Sequence, residues 1–152
     1  MRLRDYQIQC LEQTYDNIAI GKKRVKISIP PGSGKGNIIC ELILNYYKQG
    51  KTVLFVAHKT NLVAAENAIA DRLMETYRFS DFGLYLAGKK SAIKKVMLGT
   101  NKTVANRKVS NIDVMIIDES HRTKAPEYVD LIDKIKPDVL IGVTATPFRT
   151  KK

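Results

Sequence analysis

No apolar run in this sequence approaches the ~20 residues that cross a bilayer, and its first residues, Met-Arg-Leu-Arg-Asp, lack a signal-peptide core. Neither a membrane partner nor a secretory leader is expected, and the expected location is cytoplasmic or host intracellular. Cysteine is scarce. Cys10 and Cys40 both fall in apolar-periodic helical segments, where buried thiols in a reducing compartment are expected rather than a disulfide. With only two histidines there is no Cys/His cluster at metal spacing. Internal repeats, low-complexity tracts and linkers are also missing. The 152 residues therefore read as one domain, large enough to bury roughly 68–70% of its unfolded surface. Acidic residues are the remaining shortage: 15 Asp/Glu against 26 Lys/Arg leave a net charge of +11. From 82 through 112 there is no acid at all, while Lys89, Lys90, Lys94, Lys95, Lys102, Arg107 and Lys108 are basic. Such a stretch is either a solvated, solubilising loop or a surface for a phosphate backbone, and the second reading is the stronger.

What is present is a repeated strand-then-helix pattern. Asp5 is expected to cap a helix reaching about Ile20, with Ile8, Leu11, Tyr15 and Ile18 on one face. Residues 25–29 alternate as a strand, and 37–49 repeat apolar residues at helical spacing. Residues 53–57 form a short continuous apolar run, as in a strand buried on both faces. A helix rich in Ala, Leu and Glu is expected over 61–77. Strands at 82–86, 95–99, 112–118 and 139–143 follow, with helices at 101–107 and, opening on Pro126, to Ile135. This alternation predicts a parallel, doubly wound α/β sheet with right-handed crossovers, whose ligands bind beyond the carboxyl ends of the strands.

Three stretches at strand ends carry chemistry. Ser28-Ile29-Pro30-Pro31-Gly32-Ser33-Gly34-Lys35-Gly36 joins a strand to a helix N-terminus. Glycines there let backbone N–H groups approach an anion, the helix dipole favours negative charge, and Lys35 supplies a point charge for β/γ-phosphates. The alternative is a Gly/Pro-rich surface turn with a stray lysine. Two departures from G-x-x-x-x-G-K-[ST] matter: Ile29 replaces the first glycine, and Gly36 replaces the hydroxyl residue that would reach Mg²⁺. Phosphate binding can rest on backbone and Lys35, whereas metal-dependent chemistry is put in doubt. At the second stretch, Ile116-Ile117-Asp118-Glu119, Asp118 can hold Mg²⁺ and Glu119 can orient and deprotonate an attacking water. The alternative, solvated acids at a strand end, weakens beside an upstream phosphate loop. His121 could hydrogen-bond Thr144 or Thr146 of the third stretch, Thr144-Ala145-Thr146-Pro147.

These residues resemble the first RecA-like domain of superfamily 2 helicases and translocases, in the branch of excision-repair helicases and type I and III restriction-enzyme motor subunits. The resemblance covers residues 3–149. Leu3-Arg4-Asp5-Tyr6-Gln7 is similar to the adenine-recognition motif, which implies that Gln7 reads the base with Arg4 and Tyr6 in support. Residues 30–36, among them Pro31, Gly32, Ser33 and Gly34, match motif I. Val56-Ala57-His58-Lys59-Thr60-Asn61-Leu62 resembles motif Ia, and residues 99–107 resemble motif Ic. The resemblance implies nucleic-acid backbone contacts at His58, Lys59, Thr60, Thr100, Thr103 and Arg107, with Gly88 and Lys89 added from the basic stretch. Asp118-Glu119-Ser120-His121 is similar to a DEAH-type motif II. Residues 142–149 resemble motif III, which couples the nucleotide site to strand movement.

The resemblance implies a RecA-like P-loop NTPase domain with a mostly parallel sheet and helices on both faces, using ATP and Mg²⁺ and binding DNA (RNA possible) without sequence specificity. Family motors hydrolyse ATP between two such domains, the second supplying arginine fingers. Motifs IV to VI are absent here, so a second RecA-like domain is expected in a longer chain or a partner protein. With Gly36 in place of Ser or Thr, weak Mg²⁺ binding and slow or absent turnover are expected of the chain alone. A nucleotide- and nucleic-acid-binding module that has lost catalysis is the competing reading. A P-loop kinase is a poor third, since Thr144-Ala145-Thr146-Pro147 has no role in one.

Overall fold

A computed structural model describes residues 3–32, 34–89, 91–119 and 125–145. The strands are β1 (Arg24–Ile29), β2 (Val53–Ala57), β3 (Phe82–Tyr85), β4 (Val96–Thr100), β5 (Val114–Asp118) and β6 (Val139–Ala145). They form one sheet in the order β1-β6-β5-β2-β4-β3, and every pairing is parallel. The helices are α1 (Asp5–Ala19), α2 (Lys35–Lys48), α3 (Thr60–Ala64), α4 (Ile69–Glu75), α5 (Asn101–Ala105) and α6 (Pro126–Ile135).

Alternation along the central strands sorts the core into two layers, because successive side chains point to opposite faces. Val53, Phe55 and Ala57 pack with Ile38, Ile39, Leu42, Val63 and Leu73, which places α2, α3 and α4 on one face, with Leu11 of α1. Leu54 and Val56 pack with Val104, Tyr128, Leu131 and Ile135, which places α5 and α6 on the other. Both layers cover β2, and all five of its residues are buried. The continuous apolar run at 53–57 follows from that two-sided burial.

Three sequence expectations change. The helix expected over 61–77 is two helices, interrupted where Ala65 is extended and Asn67 takes φ 63°. Asn67 tolerates that conformation, and its N–H donates to Asp71 Oδ2 at 2.9 Å, a local bond that competes with helix continuation. The first helix is capped by Arg4, with φ −78° and ψ 158°, rather than by Asp5, which falls in the first turn. Ile8 is not on the buried face but 41% exposed; α1 is rotated so that Gln7, Leu11 and Thr14 face inward.

Cys40 has no exposed surface, and burial pushes its thiol up to about 12, while Cys10 is half-buried; both are free. In the folded protein at pH 8, Cys10 is expected to react with a thiol reagent and Cys40 only after denaturant is added. Equal reaction of both thiols without denaturant would contradict this packing.

Candidate nucleotide-binding site

β1 ends at the buried Ile29 and passes into the exposed Pro30, Pro31 and Gly32. Gly32 and Gly34 both have positive φ, 76° and 82°. Gly34 caps α2, its carbonyl accepting from Asn37 N at 3.1 Å and Ile38 N at 3.2 Å. The first turn of a fourteen-residue helix thus opens at the loop, with its unpaired N–H groups and positive dipole end. Gln7 of α1 reaches the same loop. Its Nε2 donates to the Gly34 carbonyl at 3.4 Å, and its Oε1 accepts from Arg4 N at 2.8 Å. A side chain at Gly34 would run into Gln7 Nε2. The left-handed conformation favours glycine there, and an added Cβ would in addition force the Gln7 amide to move.

β5 carries its buried run to Asp118, which is 4% exposed. The next residue, Glu119, has φ 57°, a left-handed conformation uncommon for a residue with Cβ and enriched at functional sites. The consequence is convergence on Lys35. Its Nζ donates to Glu119 Oε2 at 2.8 Å and lies 2.7 Å from Asp118 Oδ1, the latter an ion pair rather than a directed hydrogen bond. Burial works against the charge on Lys35, but the two carboxylates outweigh it and hold its pKa above the usual lysine range. The lysine stays cationic throughout the physiological pH range.

β6 lies between these two elements. Its buried Thr144 is in register with Ser28 of β1, and Val143 is in register with Asp118. Thr144 therefore stands between the Gly-rich loop and the acidic pair. Ser33, His121 and Thr146, together with Ser120 and residues 147–149 of the expected motifs, lie outside the described residues. Among the described residues no three His, Cys, Asp or Glu side chains cluster to hold a metal, and Gly36 offers no side-chain oxygen. Asp118 still suits Mg²⁺, which commonly takes one or two carboxylates with substrate phosphates and water.

The expected nucleic-acid residues lie at the same sheet edge, on its other half, beyond β2, β4 and β3. Lys59, Thr60, Gly88 and Lys89 are exposed, and His58 is half-buried. Arg107 Cζ lies 5.8 Å from the centre of the Tyr85 ring. Thr100 and Thr103 are different. They are 8% and 9% exposed, their hydroxyls bond each other at 3.2 Å, and Thr100 Oγ1 accepts from Thr103 N at 3.4 Å to cap α5. Lys134 Nζ of α6 holds the other end of α5, donating to the carbonyls of Ala105 and Arg107 at 2.6 and 3.0 Å.

Sequence reasoning missed Arg72 of α4. Its Nε donates to the Asn67 carbonyl at 2.8 Å and Nη1 to Asn37 Oδ1 at 3.1 Å, which sets the guanidinium against Gly36. No local pattern marks it, because the contact depends on the break before α4.

A parallel sheet with a glycine-rich loop and an acidic strand end joined through one lysine defines a P-loop nucleotide-binding domain of RecA-like type. The family model described as "Type III restriction enzyme, res subunit" (ResIII) matches residues 1–149, and the chain belongs to that family, within the superfamily 2 helicases. It is 26% identical over 168 residues to "Putative ATP-dependent helicase IRC3" of Saccharomyces cerevisiae, covering 99% of this chain and 24% of that protein. It is 27% identical over 166 residues to "Type I restriction enzyme EcoAI endonuclease subunit" of Escherichia coli, covering 97% of this chain and 20% of that protein. The chain thus spans about a quarter or less of these curated relatives' length. The fold matches the Sulfolobus solfataricus SWI2/SNF2 ATPase core solved in complex with dsDNA, with TM-score 0.79, 18% identity, and coverage of 97% of this chain and 32% of that one. It also matches the UvsW helicase of bacteriophage T4, with TM-score 0.74, 18% identity, and coverage of 96% and 53%. No helix among the described residues is long and apolar enough to cross a membrane.

An added Cβ at Gly34 meets Gln7, whereas at Gly32 it meets nothing within 4 Å. Gly32→Ala is expected to cost about 1 kcal/mol, the left-handed penalty alone, and Gly34→Ala about 2 kcal/mol or more. Urea unfolding of the two variants checks this, and equal losses would contradict the Gln7 contact.

Proposed function

We propose that this chain is the ATP-binding domain of an ATP-dependent DNA helicase or translocase. The observation that carries the reading is Lys35, whose Nζ is within 2.8 Å of both Asp118 and Glu119 across the intervening strand β6. The ion pairs bring together, at one point, the lysine of a phosphate loop and the strand-end acids that nucleotide hydrolysis uses.

Each residue then has a task. The backbone of Pro31, Gly32, Ser33 and Gly34 and the Lys35 ammonium hold the β- and γ-phosphates. Arg4 and Gln7 border the same cleft and serve the adenine end. Gln7 also ties that end to the loop, since Oε1 and Nε2 are both engaged. Asp118 is the Mg²⁺ ligand; the metal, when bound, supplies neutralisation of phosphate charge. Glu119 orients the attacking water and accepts its proton at the carboxylate. Lys35 turns from the two acids to the phosphates when nucleotide enters. His121, Thr144 and Thr146 relay the state of the nucleotide to the rest of the motor.

The exposed Lys59, Thr60, Gly88 and Lys89, with the half-buried His58 and with Arg107, form the backbone-binding half of the edge. Thr100 and Thr103 support it through the cap of α5. The solved complex of the SWI2/SNF2 core with dsDNA favours DNA as partner, with RNA as the alternative. The relatives are far longer than this chain, which fits a second RecA-like domain completing the hydrolytic site from a longer chain or a partner protein. The setting that fits is inside the cell or an infected host. A catalytically weakened binding module is the second reading, and Gly36 favours it, because no hydroxyl is present to help hold the metal.

Calorimetric titration of the chain with ATP and Mg²⁺ tests the nucleotide site. Wild type is expected to bind, and Lys35→Ala to lose about tenfold or more in affinity, the worth of one charge-assisted contact. Equal affinity of the two proteins would overturn the site.

A further inference from the structure

Gly36 stands where the motif calls for a hydroxyl side chain, and its missing side chain is not replaced by open space. An added Cβ would lie 2.7 Å from Arg72 Nε and 3.0 Å from Arg72 Cδ. A side chain at 36 and the present pose of Arg72 are mutually exclusive.

The arginine is held in place. The Asn67 carbonyl is offered by a residue at φ 63°, and Asn37 Oδ1 by a side chain that is itself 8% exposed. Both acceptors are neutral. Among the described residues no carboxylate lies within ion-pair distance of Arg72, so the guanidinium is held by neutral acceptors without a direct ion pair. Its remaining guanidinium N–H groups have no acceptor among the described residues. Arg72 lines the cleft that contains Arg4, Gln7, Gly32 and Lys35, and also the adjoining cleft that reaches Asp118.

Charge balance indicates what this cation does. At the mouth of the loop, Lys35 faces two carboxylates, which leaves an excess of negative charge where a polyphosphate must enter. In the sequence pattern the hydroxyl and the cation it helps to hold correct that excess. Here a guanidinium fills the space instead, with the planar fork suited to phosphate oxygens.

We propose that Arg72 is a second phosphate-binding cation, occupying the space left by Gly36 and standing in for part of the role of a hydroxyl-held Mg²⁺. Triphosphate binding by this chain therefore persists when divalent metal is removed. The inference rests on the nucleotide site proposed above and extends it to a residue of α4.

The test is ATP binding to the full chain in EDTA and in Mg²⁺, followed by calorimetry, for wild type, Lys35→Ala, Arg72→Ala, Arg72→Gln, Gly36→Thr and the Gly36→Thr/Arg72→Ala double variant. Wild type is expected to bind in EDTA within a few-fold of its affinity in Mg²⁺. Arg72→Ala and Arg72→Gln are each expected to lose about tenfold or more in EDTA. Arg72→Gln retains hydrogen-bonding groups for Asn37 and Asn67, so agreement of the two variants separates lost charge from lost folding. Gly36→Thr alone displaces the arginine and lowers metal-free affinity, whereas the double variant binds in Mg²⁺ and loses binding in EDTA. Lys35-dependent binding that is unchanged by Arg72→Gln in EDTA would overturn the role of Arg72 alone. Absence of any wild-type binding in either condition would overturn this proposal together with the nucleotide site.

Discussion

One ammonium group joins the two halves of the site. Lys35 begins the helix after the Gly-rich loop, while Asp118 ends β5 with Glu119 just beyond it, and β6 lies between β1 and β5. The surrounding structure brings these groups together. The parallel sheet puts both strand ends at one edge, the buried run of β5 carries Asp118 to that edge, and the left-handed Glu119 turns its carboxylate toward Lys35. The two carboxylates repel each other, and a cation in contact with both offsets that repulsion. Lys35 supplies that cation in the ligand-free chain, and the same ammonium is the one that phosphate would claim. If nucleotide binds at the loop as proposed, the acids and a polyphosphate compete for Lys35, and occupancy of the loop changes the electrostatics around Asp118 and Glu119.

The sheet order separates this chemistry from the basic surface. β1, β6 and β5 end in the loop, Thr144 and the acidic pair, whereas β2, β4 and β3 lead to Lys59, the α5 cap and Lys89. All pairings are parallel, so both halves share one edge and are linked through β5 and β2, neighbours in the sheet whose residues are fully buried. Packed strands resist continuous deformation, and a rearrangement at one half is transmitted more readily through loops and short helices than through the sheet. α3 and α4 are such elements. They follow β2 and bring Arg72 to the loop, and so connect a candidate nucleic-acid element with the phosphate site.

Much of this was legible in the sequence because the decisive signals are local. The run of 53–57 marks a strand buried on both faces, Pro126 marks the start of α6, and a glycine-rich turn before a helix marks the phosphate loop. The alternation of strands and helices along the chain follows from these signals, whereas the sheet order β1-β6-β5-β2-β4-β3 depends on contacts between distant strands. What escaped depends on contacts between distant residues. The alanines near position 65 favour helix by propensity, yet the Asn67–Asp71 bond and the packing of Ile69 and Leu73 divide the segment. Ile8 has the right spacing for the buried face of α1, but Gln7 is drawn inward by the Gly34 carbonyl. Gly36 reads in sequence as a simple loss; only the fold sets Arg72 against it. Thr100 and Thr103 read as a phosphate-contact motif, and their burial as a helix cap could not be inferred from their spacing.

The rivalry for Lys35 is tested most directly by the affinity of Glu119→Gln for ATP in EDTA, measured against wild type by calorimetry. Removing one carboxylate releases the lysine toward phosphate without disturbing the loop, and the predicted result is tighter binding, by about severalfold. Weaker binding, in the manner expected of Lys35→Ala, would contradict the account, because it would mean that the carboxylate helps the lysine hold phosphate rather than competing with it.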